Sequence, residues 1–130
     1  PQLARELERL QNDGHIVKTD KRQYVIHSTL ATVRNTQLYR TLPHEIGHYV
    51  DYLTKVERPS RDNPDQWPTL NDQYHARPSQ EKEAFAHRYA DDFVANQTVR
   101  TSIPFDRLFD ATKIRAAGLQ PEWFTPDVGV

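Results

Sequence analysis

His44-Glu45-Ile46-Gly47-His48 is the stretch of this chain best equipped for chemistry. On an α-helix, two histidines four positions apart rise by roughly 6 Å and turn by about 40° relative to one another, so both imidazoles can close on one metal ion. Glu45 is then offset to one side, where a carboxylate can hold a metal-bound water without ligating the metal. Zinc lowers the pKa of its water to about 7, and a neighbouring glutamate can take the proton as the oxygen attacks a carbonyl. The pattern points to zinc-dependent peptide hydrolysis. With six histidines in 130 residues, an accidental match has a chance of roughly a few per cent. The rest of the chain has to complete the site.

A catalytic zinc takes three protein ligands and a water. The chain has no cysteine, which leaves histidine and carboxylate donors and excludes disulfides and thiol nucleophiles. The candidates are His75, Glu81, Glu83, His87 and Asp91, with Asp51 on the motif helix itself. At about 100° per residue, a helix from Gln80 gathers Phe85, Ala86, Tyr89, Ala90, Phe93 and Val94 into one arc, and Glu83 falls inside it. Glu81 projects roughly opposite, beside Arg88 and Asp92, as a solvated charge would. A carboxylate on the inward face needs a compensating partner, which zinc or an arginine would supply. His87, one turn after Glu83, suits a group that hydrogen-bonds a ligand, or a replacement ligand. Asp51 points the same general way as His48 but lies a full turn further from His44, as an orienting acceptor or a helix salt-bridge partner would. His15, His27 and His75 carry no spacing argument. Tyr74 has a phenol that can stabilise an oxyanion, although spacing alone favours an ordinary packed aromatic.

Stepping along the chain, Leu3, Leu7 and Leu10 fall at helical spacing, and Asn12-Asp13-Gly14 reads as the stop. His15 to Lys18 and Gln23 to His27 are β-favouring runs around polar Thr19 to Arg22, which predicts a hairpin. The second of these strands offers an edge to which an extended peptide could pair. The stretch on to Arg40 alternates poorly and reads as a loop, a further strand or the entry to the motif helix. Pro43 suits a first helical turn, so that helix is expected to start near Thr41 and to end at Glu57-Arg58-Pro59. Residues 59–78, rich in Pro, Asp, Asn and Ser, read as a long loop carrying Trp67 and Tyr74. Helix returns from Gln80 to Asn96 and again from Phe105 to Ala117, and residues 121–130 read as an irregular tail.

The length suits one domain, 1–130. Charged residues make up 27% and nearly cancel to a net charge of -1, which gives no footprint for nucleic acid or an anionic membrane. No apolar run approaches the ~20 residues of a membrane span, and Pro1 to Leu10 lacks the apolar core of a signal peptide. The absence of an initiating methionine suggests excision from a larger protein. The lack of cysteine fits exported and cytosolic proteins alike, and nothing in the sequence sets an oligomeric state.

His44 to Tyr52, followed by Tyr74 and then Glu83-Ala84-Phe85-Ala86-His87-Arg88-Tyr89, resembles the peptidase domain of anthrax lethal factor and the related secreted Pro-Pro endopeptidases. The resemblance covers roughly residues 41–96. It implies a small α+β zincin-like metallopeptidase: an N-terminal helix and short antiparallel sheet, then a helical subdomain carrying the metal site. It further implies that His44, His48 and Glu83 bind Zn²⁺, that Glu45 is the general base and that Tyr74 stabilises the oxyanion. The substrate would be a protein or peptide, and the domain a toxin or effector, secreted or delivered rather than cytoplasmic. Two positions depart from the family: the spacing from Tyr74 to Glu83 is a little longer, and His87 stands where an acidic residue is expected. Phage-associated antirepressor peptidases, intracellular and regulatory, pair the same motif with a later glutamate and are the nearest alternative. A non-catalytic zinc-stabilised binding module, or a structural domain with an accidental motif, are the others.

Overall fold

The computed structural model describes residues 2–125, with side chains from residue 3 onward. It is predominantly helical with one small antiparallel sheet. Helix α1 runs Gln2–Asn12 and stops at Gly14, whose φ of 95° lies where an L side chain is strained. Strands β1 (Ile16–Thr19) and β2 (Tyr24–His27) form the expected hairpin, pairing Ile16 with His27 and Thr19 with Tyr24. His15 is buried at its base, with Nδ1 2.8 Å from the Ser28 hydroxyl and Nε2 2.9 Å from that of Thr36.

From Leu30 the chain stays helical to Ser60. Thr29 caps the run: its hydroxyl accepts from the Thr32 amide, and the Thr32 hydroxyl accepts from the Thr29 amide. Helix α2 (Leu30–Thr36) passes through a π-helical turn at Gln37–Thr41 into α3 (Leu42–Tyr52), and a second π turn at Leu53–Glu57 leads into the short α4 (Arg58–Ser60). The motif helix α3 thus starts at Leu42, as expected near Thr41, inside a helical run that is continuous from Leu30 and ends at Ser60, one residue past Pro59. Each π turn finishes two residues before a proline, Pro43 or Pro59. A proline inside an α-helix lacks a donor and strikes the carbonyl four residues back. In a wider i→i+5 turn the pattern is already shifted ahead of the ring, so the helix carries through.

The expected loop over residues 59–78 is also mostly helix. A 3-10 turn at Pro64–Gln66 leads into α5 (Trp67–Ala76), and Arg77 becomes extended before Pro78. Pro64 and Pro68 sit in first-turn positions, where their missing N–H is not needed, so the proline content marks helix starts. Helix α6 (Ser79–Val99) contains the expected Gln80 to Asn96 and runs three residues beyond it. The last helix is shorter than expected: α7 covers only Ala111–Ala116, capped by the Asp110 carboxylate, and Phe105 to Phe109 lie outside it. A 3-10 turn at Pro121–Phe124 follows, and residues 126–130 of the expected tail lie outside the described residues.

The main packing is α3 on α6. Gly47, Ala86 and Ala90 are buried there, small residues that let two backbones approach closely. A Cβ at Gly47 would stand 2.9 Å from the Ala86 Cα, 3.0 Å from its carbonyl oxygen and 3.2 Å from the Tyr89 Cβ. Backbone cannot swing aside as a side-chain tip can. Gly47→Ala gains up to about 1 kcal/mol of helix propensity, but overpacking costs about 1–3 kcal/mol. The expected net result in denaturant melts is a loss of about 1 kcal/mol. Unchanged or raised stability would mean that the crossing relaxes freely.

Candidate metal centre

His44 and His48 project from α3, one turn apart, on either side of the Gly47 seam. Glu83 stands on α6 one turn before Ala86, the residue that Gly47 meets. The close crossing therefore brings the carboxylate to the histidines. His44 Nε2 lies 3.1 Å from His48 Nε2 and 3.3 Å from Glu83 Oε2, and His48 Nε2 lies 3.4 Å from Glu83 Oε1. One carboxylate spans both imidazoles. It is open to solvent, with the Glu83 side chain 52% exposed, and Glu45 on α3 is exposed too.

His87 follows one turn after Glu83. Its ring packs against His44 with centroids 4.4 Å apart and planes at 44°. His44, Glu83 and His87 each offer a ligand atom, all within 4.8 Å of one another, and could hold a metal ion. His87 Nε2 also lies 3.3 Å from Nη1 of Arg9 on α1. Burial, then the Arg9 charge, then His44 lower the His87 pKa below the ordinary histidine value. The His44 Nδ1 is buried and has no hydrogen-bond partner among the described residues.

Asp51, fully buried on α3, is an ion-pair residue. Its carboxylate is bound by Lys55 and, at 2.8 Å, by Nη1 of Arg77. Burial pushes the Asp51 pKa up, but the hydrogen bonds from Lys55 and Arg77 outweigh it and hold the carboxyl below its ordinary value. Tyr74 belongs to this cluster. It is a buried residue of α5, where a loop tyrosine was expected, with its ring edge-on to Tyr52 at 5.2 Å and the Arg77 guanidinium 5.4 Å from its centre. Burial and the Asp51 charge raise its pKa. The structure thus brings together His44, His48 and Glu83, sets His87 beside them, and places Tyr74 with Asp51, Tyr52 and Arg77.

Of the remaining candidates, Glu81 is exposed and pairs with Arg77 at 3.6 Å, while Asp91 and His75 are also exposed. Arg9 had no signal in the sequence, because it reaches His87 only through the tertiary fold. A cavity of about 700 Å³ borders His44 and His87 and continues along α6 past Ala90 and Val94. Arg9 and Arg40 also line it, each already paired: Arg9 with Glu6 at 2.6 Å and Arg40 with Asp13 at 2.8 Å. No known protein family, curated protein or solved structure matches this chain.

Proposed function

We propose that this chain is a zinc-dependent endopeptidase domain of the zincin kind, with His44, His48 and Glu83 as metal ligands and Glu45 as general base. The observation that carries the reading is the meeting of the three side chains: the two Nε2 atoms lie 3.1 Å apart, and one Glu83 oxygen lies 3.3 Å from His44 and the other 3.4 Å from His48. Zinc bonds of 2.0–2.2 Å in a tetrahedron require ligand atoms about 3.3–3.5 Å apart. Two imidazoles and one carboxylate are also the donor set of a hydrolytic zinc that keeps an open position. The exposure of Glu83 and Glu45 leaves such a position reachable from solvent.

When bound, the metal would polarise a substrate carbonyl and acidify a water. His44 and His48 would contribute neutral Nε2 lone pairs, and Glu83 a negative charge that offsets half of the ion's. The Glu45 carboxylate would accept the proton of the attacking water and hand it to the leaving amine. The part of Tyr74 at the oxyanion rests on the family resemblance alone, as do the protein substrate and a secreted or delivered setting. One observation favours a second reading: His87 is close enough to His44 and Glu83 to serve as a fourth ligand, which would close the site and leave a zinc-stabilised binding module.

The deciding experiment exposes a peptide library to the zinc-loaded protein and locates cuts by mass spectrometry. The endopeptidase reading expects internal cleavage that stops on chelation and returns with added zinc. Stoichiometric zinc without any cut would favour the closed module, and no bound zinc at all would end both readings.

A further inference from the structure

The hairpin presents an open edge. β1 lies against α1, whereas β2 pairs with no strand but β1 among the described residues, and all four of its residues are exposed. At the turn, Asp20 and Gln23 exchange both backbone hydrogen bonds, at 2.9 and 3.4 Å. Such pairs alternate along an antiparallel ladder. With Lys18 opposite Val25 and Ile16 opposite His27, the backbone groups of Gln23, Val25 and His27 therefore turn toward β1. Those of Tyr24 and Ile26 turn outward. No lysine, proline or bulge interrupts β2, the usual means of keeping an edge from pairing. A two-stranded hairpin alone is marginal in water and needs further strands or a helix behind an apolar face. The chain as a whole exposes 10243 Å², while a compact monomer of 15.2 kDa exposes about 7,100 Å². The surplus exceeds the about 800 Å² that each partner buries in a stable interface of standard size.

We propose that two copies of this chain associate through β2, joining their edges antiparallel about a two-fold axis at Val25 into one four-stranded sheet. A two-fold between antiparallel strands runs perpendicular to their sheet and keeps each side chain on its own face. Centred on Val25, it sets Tyr24 of one copy opposite Ile26 of the other, and the outward N–H and C=O of both residues are all used. Aromatic and β-branched side chains then meet as a favourable cross-strand pair, on the face that also carries Val17 and Thr19. Arg22 comes opposite the polar Ser28, so no like charges meet along the seam. The association does not depend on the metal centre.

Sedimentation equilibrium of the full chain over a concentration series tests it. Wild type is expected to move from 15.2 kDa to twice that mass as concentration rises, with a melting temperature that rises too. Val25→Lys sets two like charges on the axis and should stay at the single-chain mass. Single cysteines then fix the register, because the chain has none of its own. Residues facing each other without hydrogen bonds stand about 4.5 Å apart at Cα, so Val25→Cys should oxidise to a covalent dimer. In Tyr24→Cys the two Cα atoms would lie roughly 8 Å apart, too far to bridge, and no crosslink should form. A wild type that keeps the single-chain mass up to millimolar concentration would overturn the proposal and leave the edge to an extended peptide. A dimer that Val25→Lys leaves intact, or that crosslinks as readily through position 24 as through 25, would overturn it equally.

Discussion

The Glu45→Gln protein is expected to fold, to bind zinc as tightly as wild type and to turn over peptide about 10²–10⁴-fold more slowly, the usual contribution of a positioned general base. Gln keeps the length and shape of Glu but has no carboxylate to accept a proton. Glu45 is exposed, and a surface substitution of this kind usually changes stability by less than about 0.5 kcal/mol. Lost activity therefore cannot be put down to lost fold. On a helix Glu45 lies about 100° from His44, whereas His48 lies about 40° from it, so removing the carboxylate leaves the metal donors in place. The measurements are kcat on a cleaved peptide and zinc stoichiometry on the same sample. A variant that still hydrolyses at near the wild-type rate would reject Glu45 as the base. A variant that loses zinc would make Glu45 part of the metal site.

Residue spacing made the clustering of His44, His48 and Glu83 legible, because the helical period acts at short range. His44 and His48 share a face by arithmetic, and the placing of Glu83 in the apolar arc of α6 rests on the same period. The three side chains do meet, with contacts of 3.1–3.4 Å, but Glu83 reaches the histidines from a half-exposed position and not from a buried face. The hairpin was legible too, from β-favouring runs on either side of a polar turn. What misled was proline. Pro59, Pro64 and Pro68 read as breakers of a long loop, yet one follows a π turn and two start helices, so the segment holding Trp67 and Tyr74 is helical. A one-dimensional reading has no access to the i→i+5 turns that carry the helix past Pro43 and Pro59. Nor does it see contacts that only tertiary folding creates. Asp51 left two roles open, and its burial with Lys55 and Arg77 makes it a salt-bridge partner, while the reach of Arg9 to His87 left no trace in the sequence. Gly47 was visible as one letter of the motif, but its use as the spacer that admits α6 depends on Ala86, far along the chain.

Glu83→Ala should remove the metal without unfolding the protein. The side chain is 52% exposed, and its closest polar neighbours are the two histidines, so the metal-free protein should melt within about 0.5 kcal/mol of wild type. Two imidazoles alone leave zinc without its anionic ligand and without the third protein donor that catalytic sites use. Changes in the groups that merely orient ligands cost 10–100-fold in affinity, so loss of a ligand should cost more than about 100-fold. Linkage supplies a readout independent of catalysis. A ligand that binds only the folded state at 100 times its Kd stabilises that state by about 2.7 kcal/mol, so wild type should melt higher in zinc while Glu83→Ala gains almost nothing at the same concentration. Glu81→Ala is the control, because that carboxylate is exposed, pairs with Arg77 and lies two residues away on the same helix. It should keep the full zinc-dependent gain. If Glu83→Ala kept it as well, the Glu83 carboxylate would be an ordinary charge partner of the two histidines, and the third ligand would have to be sought at His87.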